Sequence, residues 1–219
     1  MRKLLIIWMV VAFAGLMTAG LACADPAVTF SNLTSTTTIN SQETAGWNFT
    51  VSGGSISVTD LGVFDSGQTG LDYSHQVGIW NSSGQLLVSG TVPAGTAGTL
   101  VNQFYYVSVT TTVLGPGTYD IGANYTQYPG STDNYLANAS GFNTATGIKF
   151  NMAEYSADNS GGLLTDPNSI SASFFTNGVF GPNFEFSAAT TTAVPEPCTM
   201  LLLGSGLVGI AAFRKKFIA

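Results

Sequence analysis

His75-Gln76-Val77-Gly78-Ile79-Trp80, followed by Asn81-Ser82-Ser83-Gly84 and then Gln85-Leu86-Leu87-Val88-Ser89-Gly90-Thr91-Val92, is the stretch that decides the fold class. In the first run His75, Val77 and Ile79 share one face, with Gln76, Gly78 and Trp80 on the other, which is the period of two of a β-strand. Asn81 to Gly84 has turn chemistry: short polar side chains that bond their own backbone, and a glycine for the left-handed position. A hairpin of two antiparallel strands is therefore expected between His75 and Val92.

The same pattern extends outward. Tyr105, Val107 and Val109 alternate with Tyr106, Ser108 and Thr110, and Tyr119, Ile121, Ala123 and Tyr125 alternate with Thr118, Asp120, Gly122 and Asn124. Leu114-Gly115-Pro116-Gly117 reads as a turn between these two runs. Further β-rich runs lie at 28–33, 47–51, 55–64, 147–155, 171–176 and 179–187. β-Branched residues and glycines dominate, and no window before residue 198 reads as a capped amphipathic helix. The spacing predicts an all-β domain over residues 25–189, an antiparallel β-sandwich of jelly-roll or Ig-like form. Residues 124–143 and 156–169 are expected to be long loops, and 190–194 a linker.

Composition narrows the partners. Residues 25–193 contain no cysteine, so no disulfide framework supports the domain. Eleven acids stand against one lysine, Lys149, a charge of −10 that repels phosphate backbones and argues against nucleic acid as a partner. Ser, Thr, Asn and Gly replace the usual surface charges, a composition compatible with a polysaccharide matrix.

The two ends read as address labels. Arg2 and Lys3, an apolar run from Leu4 to about Leu16, and Ala22-Cys23-Ala24 make a signal peptide over residues 1–24, cut after Ala24. A lipidated Cys23 is the competing reading; Gly20 stands three before it, where such signals usually carry Leu. At the other end Pro195-Glu196-Pro197 precedes an apolar run at 198–213 and a basic stop of Arg214, Lys215 and Lys216. Sixteen residues at about 1.5 Å each reach roughly 24 Å, short of a hydrocarbon core of about 30 Å. A single weak transmembrane helix is expected there, held on the cytoplasmic side by its basic cluster and suited to brief retention. The two prolines keep the preceding stretch extended, which would present Glu196 in a strand-like conformation.

Pro195-Glu196-Pro197, the glycine-containing apolar run and the terminal basic cluster resemble the PEP-CTERM sorting signal of exported bacterial proteins. The resemblance covers about the last twenty-five residues. It implies recognition by an exosortase, a membrane transpeptidase with a cysteine nucleophile, in a bacterium that makes extracellular polysaccharide. A second resemblance rests on Leu61-Gly62-Val63-Phe64-Asp65, His75 to Trp80, Gly84-Gln85-Leu86-Leu87 and Gly117-Thr118-Tyr119. Together they are similar to a recurring exported β-domain that often carries such tails; it implies a β-sandwich and no established activity.

Candidate chemistry within the domain is sparse. His75 is the single histidine, which supplies a catalytic triad or a histidine-rich metal site poorly. It could act as a general base with Asp72, or serve structurally at a strand start beside Tyr73. Asp65 and Asp72 bracket a glycine-containing loop and are hard oxygen ligands suited to calcium, as are Asp158, Asn159, Asp166 and Asn168 in a second acidic loop. Trp80, Tyr125, Tyr128 and Tyr135 are candidates for stacking on sugar rings, with burial as the alternative fate. Glycoside hydrolysis needs a carboxylate pair at fixed separation, and no pair stands out. The threonines from Thr34 to Thr38 are too few for a regular ice-binding face. The expectation is a non-enzymatic exported protein without a required cofactor. It would be paused in the inner membrane, processed at 195–197, and placed at the cell surface or in an exopolysaccharide or biofilm matrix. The alternatives are a carbohydrate-binding module and, below it, a polysaccharide-acting enzyme or an ice-binding protein.

Overall fold

The computed structural model of the protein describes residues 24–31, 36–37, 42–126, 133–137, 139, 141–156, 162–170 and 177–189. No helix occurs among them. The strands are β1 Asp25–Pro26, β2 Val28–Phe30, β3 Thr36–Thr37, β4 Glu43–Val51, β5 Ile56–Phe64, β6 His75–Asn81, β7 Leu86–Val92 and β8 Thr99–Val101. They continue as β9 Phe104–Leu114, β10 Gly117–Tyr125, β11 Tyr135–Ala137, β12 Phe142–Thr144, β13 Ile148–Ser156, β14 Ser169–Ile170, β15 Val179–Phe180 and β16 Pro182–Ala188.

Two larger antiparallel sheets form a sandwich-like body. One has the order β1-β16-β5-β9-β8 and the other β14-β13-β4-β10-β6-β7. A three-stranded sheet, β15-β11-β3, and a β12-β2 pair complete it. The inner faces meet through aromatic side chains: Trp47 and Phe49 of β4 pack on Phe184 of β16, with ring centroids 6.0 and 4.9 Å apart. The Trp47 indole N–H, buried with its ring, donates to the Pro182 carbonyl at 3.0 Å, so its polar atom is satisfied within the core. Along β4 the odd positions 45, 47, 49 and 51 are buried while Asn48 and Thr50 are less so, the alternation that a sheet with one core face produces.

The expected hairpin is present. Asn81 Oδ1 accepts from the Ser83 N–H at 3.1 Å, the Ser83 hydroxyl at 2.7 Å and the Gln85 N–H at 3.0 Å. Gly84 takes φ +76°, the left-handed conformation that favours glycine. The turn at Leu114-Gly115-Pro116-Gly117 is not a hairpin, because β9 and β10 belong to different sheets. It is a corner that carries the chain across the sandwich, braced by the Tyr119 hydroxyl donating to the Gly115 carbonyl at 2.9 Å.

Several boundaries differ from expectation. The run at 47–51 starts four residues earlier, at Glu43, because Thr44 and Gly46 pair in the ladder despite lacking apolar side chains. The run at 179–187 is two strands, since the chain changes sheets at Gly181, packed against the Tyr125 ring. The expected loop at 124–143 contains β11, which pairs with both β3 and β15. Its apolar Tyr135-Leu136-Ala137 is buried, and burial of that surface outweighs the loop-like composition around it. The run at 171–176 lies outside the described residues.

Candidate functional site

The outer face of the six-stranded sheet carries the densest chemistry. Gly122 of β10 pairs with Gly46 of β4 on one side and with Gly78 of β6 on the other, so three glycines line up across three hydrogen-bonded strands. Their neighbours Trp47, Ile121 and Ile79 point into the core, which places the glycine positions on the opposite face. The row is a shallow trough flanked by Thr44, Trp80 and Leu86.

Residues 162–168 cross the trough over Gly78 and Gly122. A Cβ on Gly78 would lie 3.0 Å from Leu164 Cδ2 and 2.9 Å from the Trp80 ring, and one on Gly122 would lie 3.1 Å from Pro167 Cγ. Thr165 is tied to Thr44 on β4 by its backbone N–H at 3.1 Å and its hydroxyl at 3.3 Å. The Asn124 amide donates to the Gly162 carbonyl at 2.6 Å, while its oxygen accepts from the Gln76 N–H. Trp80 is thereby closed between its own sheet and this segment.

Three carboxyls gather beside the trough. Asp120 on β10 and Glu154 on β13 are each 7% exposed, and Asp166 belongs to the covering segment. Asn48 donates to Asp120, and Asn151 donates to Asn48 Oδ1 at 2.7 Å and to Thr50 at 2.9 Å. Glu154 Oε2 and Asp166 Oδ1 are buried with no hydrogen-bond partner. Burial, then a hydrogen bond to Asp120, then the charges of Asp120 and Asp166 push the Glu154 carboxyl up to about 9. Burial and the Asp120 charge raise Asp166 to about 6, against a lowering hydrogen bond from Asn168. A carboxyl at about 9 holds its proton at neutral pH.

His75 has a different setting from the one read in the sequence. Its Nε2 meets Asp133 Oδ2 at 3.0 Å and its Nδ1 the Asn124 carbonyl at 2.8 Å. Both partners are oxygen acceptors, a backbone carbonyl and a carboxylate. Asp133, not Asp72, is the carboxylate beside it; Asp72 and Tyr73 instead donate backbone N–H groups to Asp133 at 2.8 and 2.9 Å. Burial alone would raise the Asp133 carboxyl, but the His75 hydrogen bond, the two backbone donors and the imidazole charge together hold it below the ordinary carboxylate value. With the His75 ring 4.9 Å from Tyr125 and 4% of the residue exposed, this is an interior tie between the start of β6 and the stretch before β11.

The remaining sequence candidates separate. Asp65 turns its two oxygens back onto its own loop, accepting from the Gly67 and Gly70 N–H groups, each at 2.8 Å. That makes it a turn residue, and among the described residues no three His, Cys, Asp or Glu side chains are placed to hold a metal ion. Asp158 and Asn159 lie outside the described residues, and Asp166 joins Asp120 and Glu154. Trp80, Tyr125 and Tyr135 are 4%, 1% and 6% exposed, which corrects their reading as open sugar-stacking rings. Tyr125 and Tyr135 instead pack on each other edge to face at 5.8 Å in the interior. Tyr128 lies outside the described residues.

Sequence reasoning missed the trough, because glycines 46, 78 and 122 align only once the strand register is known. A signal existed in Asp120 and Glu154, acids placed inside β-runs that disfavour them.

The two address labels, residues 1–23 with Ala22 and residues 190–219 with Pro195-Glu196-Pro197, the apolar run at 198–213 and Arg214-Lys215-Lys216, lie outside the described residues; Ala24 begins the described part. Residues 193–216 match the family model for the PEP-CTERM protein-sorting motif. No curated protein and no solved structure matches the chain. The chain carries a PEP-CTERM sorting motif, the mark of an exported protein with a C-terminal membrane-anchoring signal handled by an exosortase-type membrane enzyme.

Proposed function

We propose that the β-domain is non-catalytic cargo, delivered by the sorting motif to the cell surface and held in an exopolysaccharide or biofilm matrix. The observation that carries this reading is the sorting motif at 193–216 behind an all-β domain. Chemistry on the covalent level belongs to the sorting enzyme, which takes Pro195-Glu196-Pro197 as its recognition element. The domain's own groups fit a structural role. Its one histidine is spent on an interior hydrogen-bond tie, and its aromatic rings fill the space between sheets. An acidic surface rich in neutral polar groups suits a hydrated matrix of uncharged polymer, where hydrogen bonding rather than long-range charge governs contact.

The test is fractionation of the extracellular layer, followed by incubation of the purified exported protein with the polysaccharide of its own host. The expected result is that the protein co-fractionates with polysaccharide and leaves its chain length unchanged. Protein found free in the medium would overturn the matrix assignment. Chain shortening that disappears on Asp120→Asn or Glu154→Gln would replace it with a polysaccharide-acting enzyme.

A further inference from the structure

We propose that residues 162–168 form a proton-held strap over the glycine trough, closed while the carboxyl cluster beneath retains its protons and released when it loses them. The geometry supplies each part. The strap contacts the sheet at two glycine positions: Pro167 above Gly122, beside Thr44, and Leu164 above Gly78, beside Leu86 and Trp80. Polar ties hold it as well, Thr165 to Thr44 and Gly162 to Asn124, and at its far end the chain enters β14, which pairs with β13 at Glu154 and Tyr155. Asp166 faces the hairpin turn as well, with Oδ2 3.2 Å from the position a Cβ on Gly84 would take.

The charges around the strap have one sign. Facing Glu154 of β13 are Asp120 of β10 and Asp166 of the strap itself. From β4 come only Thr44, Gly46, Asn48 and Thr50, and from β6 Gln76, Gly78 and Trp80, none of them charged. Lys149 stands on β13 opposite Thr50, five residues before Glu154, and no basic group figures among those acting on Glu154 or Asp166. Among the described residues no cation therefore offsets the charges of Glu154 and Asp166 when they form. In the closed state two buried carboxyl oxygens also lack a donor, and lifting the strap gives them water.

The sign follows from linkage. Glu154 and Asp166 titrate higher in the closed state than carboxyls in water, near 9 and near 6. Closure is then complete below the ordinary carboxylate value of about 4 and weakens as pH rises, first through the Asp166 value and then towards that of Glu154. Opening uncovers the Trp80 ring, the Gly78 and Gly122 positions and the carboxyls together, a face that the closed molecule hides.

Hydrogen exchange of the full exported protein, corrected for intrinsic rate and followed by mass spectrometry from pH 5 to pH 9, tests the strap. Amides of 162–168 are expected to lose protection by at least about tenfold over this range, while those of β5 and β10 keep theirs. Acrylamide quenching should rise in parallel, from Trp80, because Trp47 is fully interior. The paired substitution Glu154→Gln and Asp166→Asn, which fixes neutral side chains of the same shape, should flatten the pH response to under about twofold. Equal strap protection at pH 5 and pH 9 in the unaltered protein would overturn the proposal without recourse to any variant. An unchanged pH response in a folded Glu154→Gln, Asp166→Asn protein would overturn it as well.

Discussion

At the scale of single residues, Asp133 accepts from three donors at once: the His75 ring and the N–H groups of Asp72 and Tyr73. An amide in its place offers one acceptor oxygen and turns its NH2 against at least one of those donors. Asp133→Asn is therefore expected to cost about 2–4 kcal/mol in denaturant unfolding, within the range for breaking a buried, hydrogen-bonded pair. The pH dependence has a fixed sign. Because the folded-state carboxyl titrates below its ordinary value, its stabilisation is complete above about pH 4 and is lost as pH falls through the lowered value. The difference between native and Asp133→Asn stability should accordingly shrink below pH 4. A structural histidine at the start of a strand was legible in the sequence. Its partner was not: Asp133 lies 58 residues away, in what reads as a polar loop, and only the folding of β11 into the body brings it there.

At the scale of elements, the hairpin from His75 to Val92 follows from its alternation and its Asn81–Gly84 turn, and the structure keeps both. Gly84 adopts φ +76°, so Gly84→Ala should lower stability by about 1 kcal/mol, or roughly 2–4 °C in Tm for a domain of this size. Gly115→Ala is the matched control: a Cβ there meets nothing within 4 Å and its φ is not left-handed, so Tm should stay within about 1 °C. Equal losses for the two would mean that the turn conformation does not carry the hairpin. Alternation was a weaker guide to which face is wet. Trp80 falls on the face opposite the core, yet the segment at 162–168 covers it, a long-range contact that no local period encodes. The aromatic reading of Tyr125 and Tyr135 failed for a related reason: they are interior residues at one end of the body, beneath His75. Strand existence was readable from β-rich composition. The change of sheet at Gly181 and the corner at Gly115 depend on topology, which composition does not specify.

At the scale of the whole molecule, the sequence separates an address from a body, and the two are legible to different degrees. The sorting motif is read from order and position alone, proline-glutamate-proline, then an apolar run, then basic residues, and the family match at 193–216 supports that reading. The body is legible as all-β, while its carboxyl cluster depends on a register that joins β4, β10 and β13. In the function proposed above, processing at the motif frees that body from the membrane. The direct measurement is the intact mass and C-terminal peptide of the exported protein, beside a Glu196→Ala form expressed in the same cells. The native protein is predicted to end near Pro195–Pro197 and lack Leu201–Phe213, with the Glu196→Ala form remaining a full-length membrane species. Mature native protein on the cell surface with Leu201–Phe213 still attached would contradict the account.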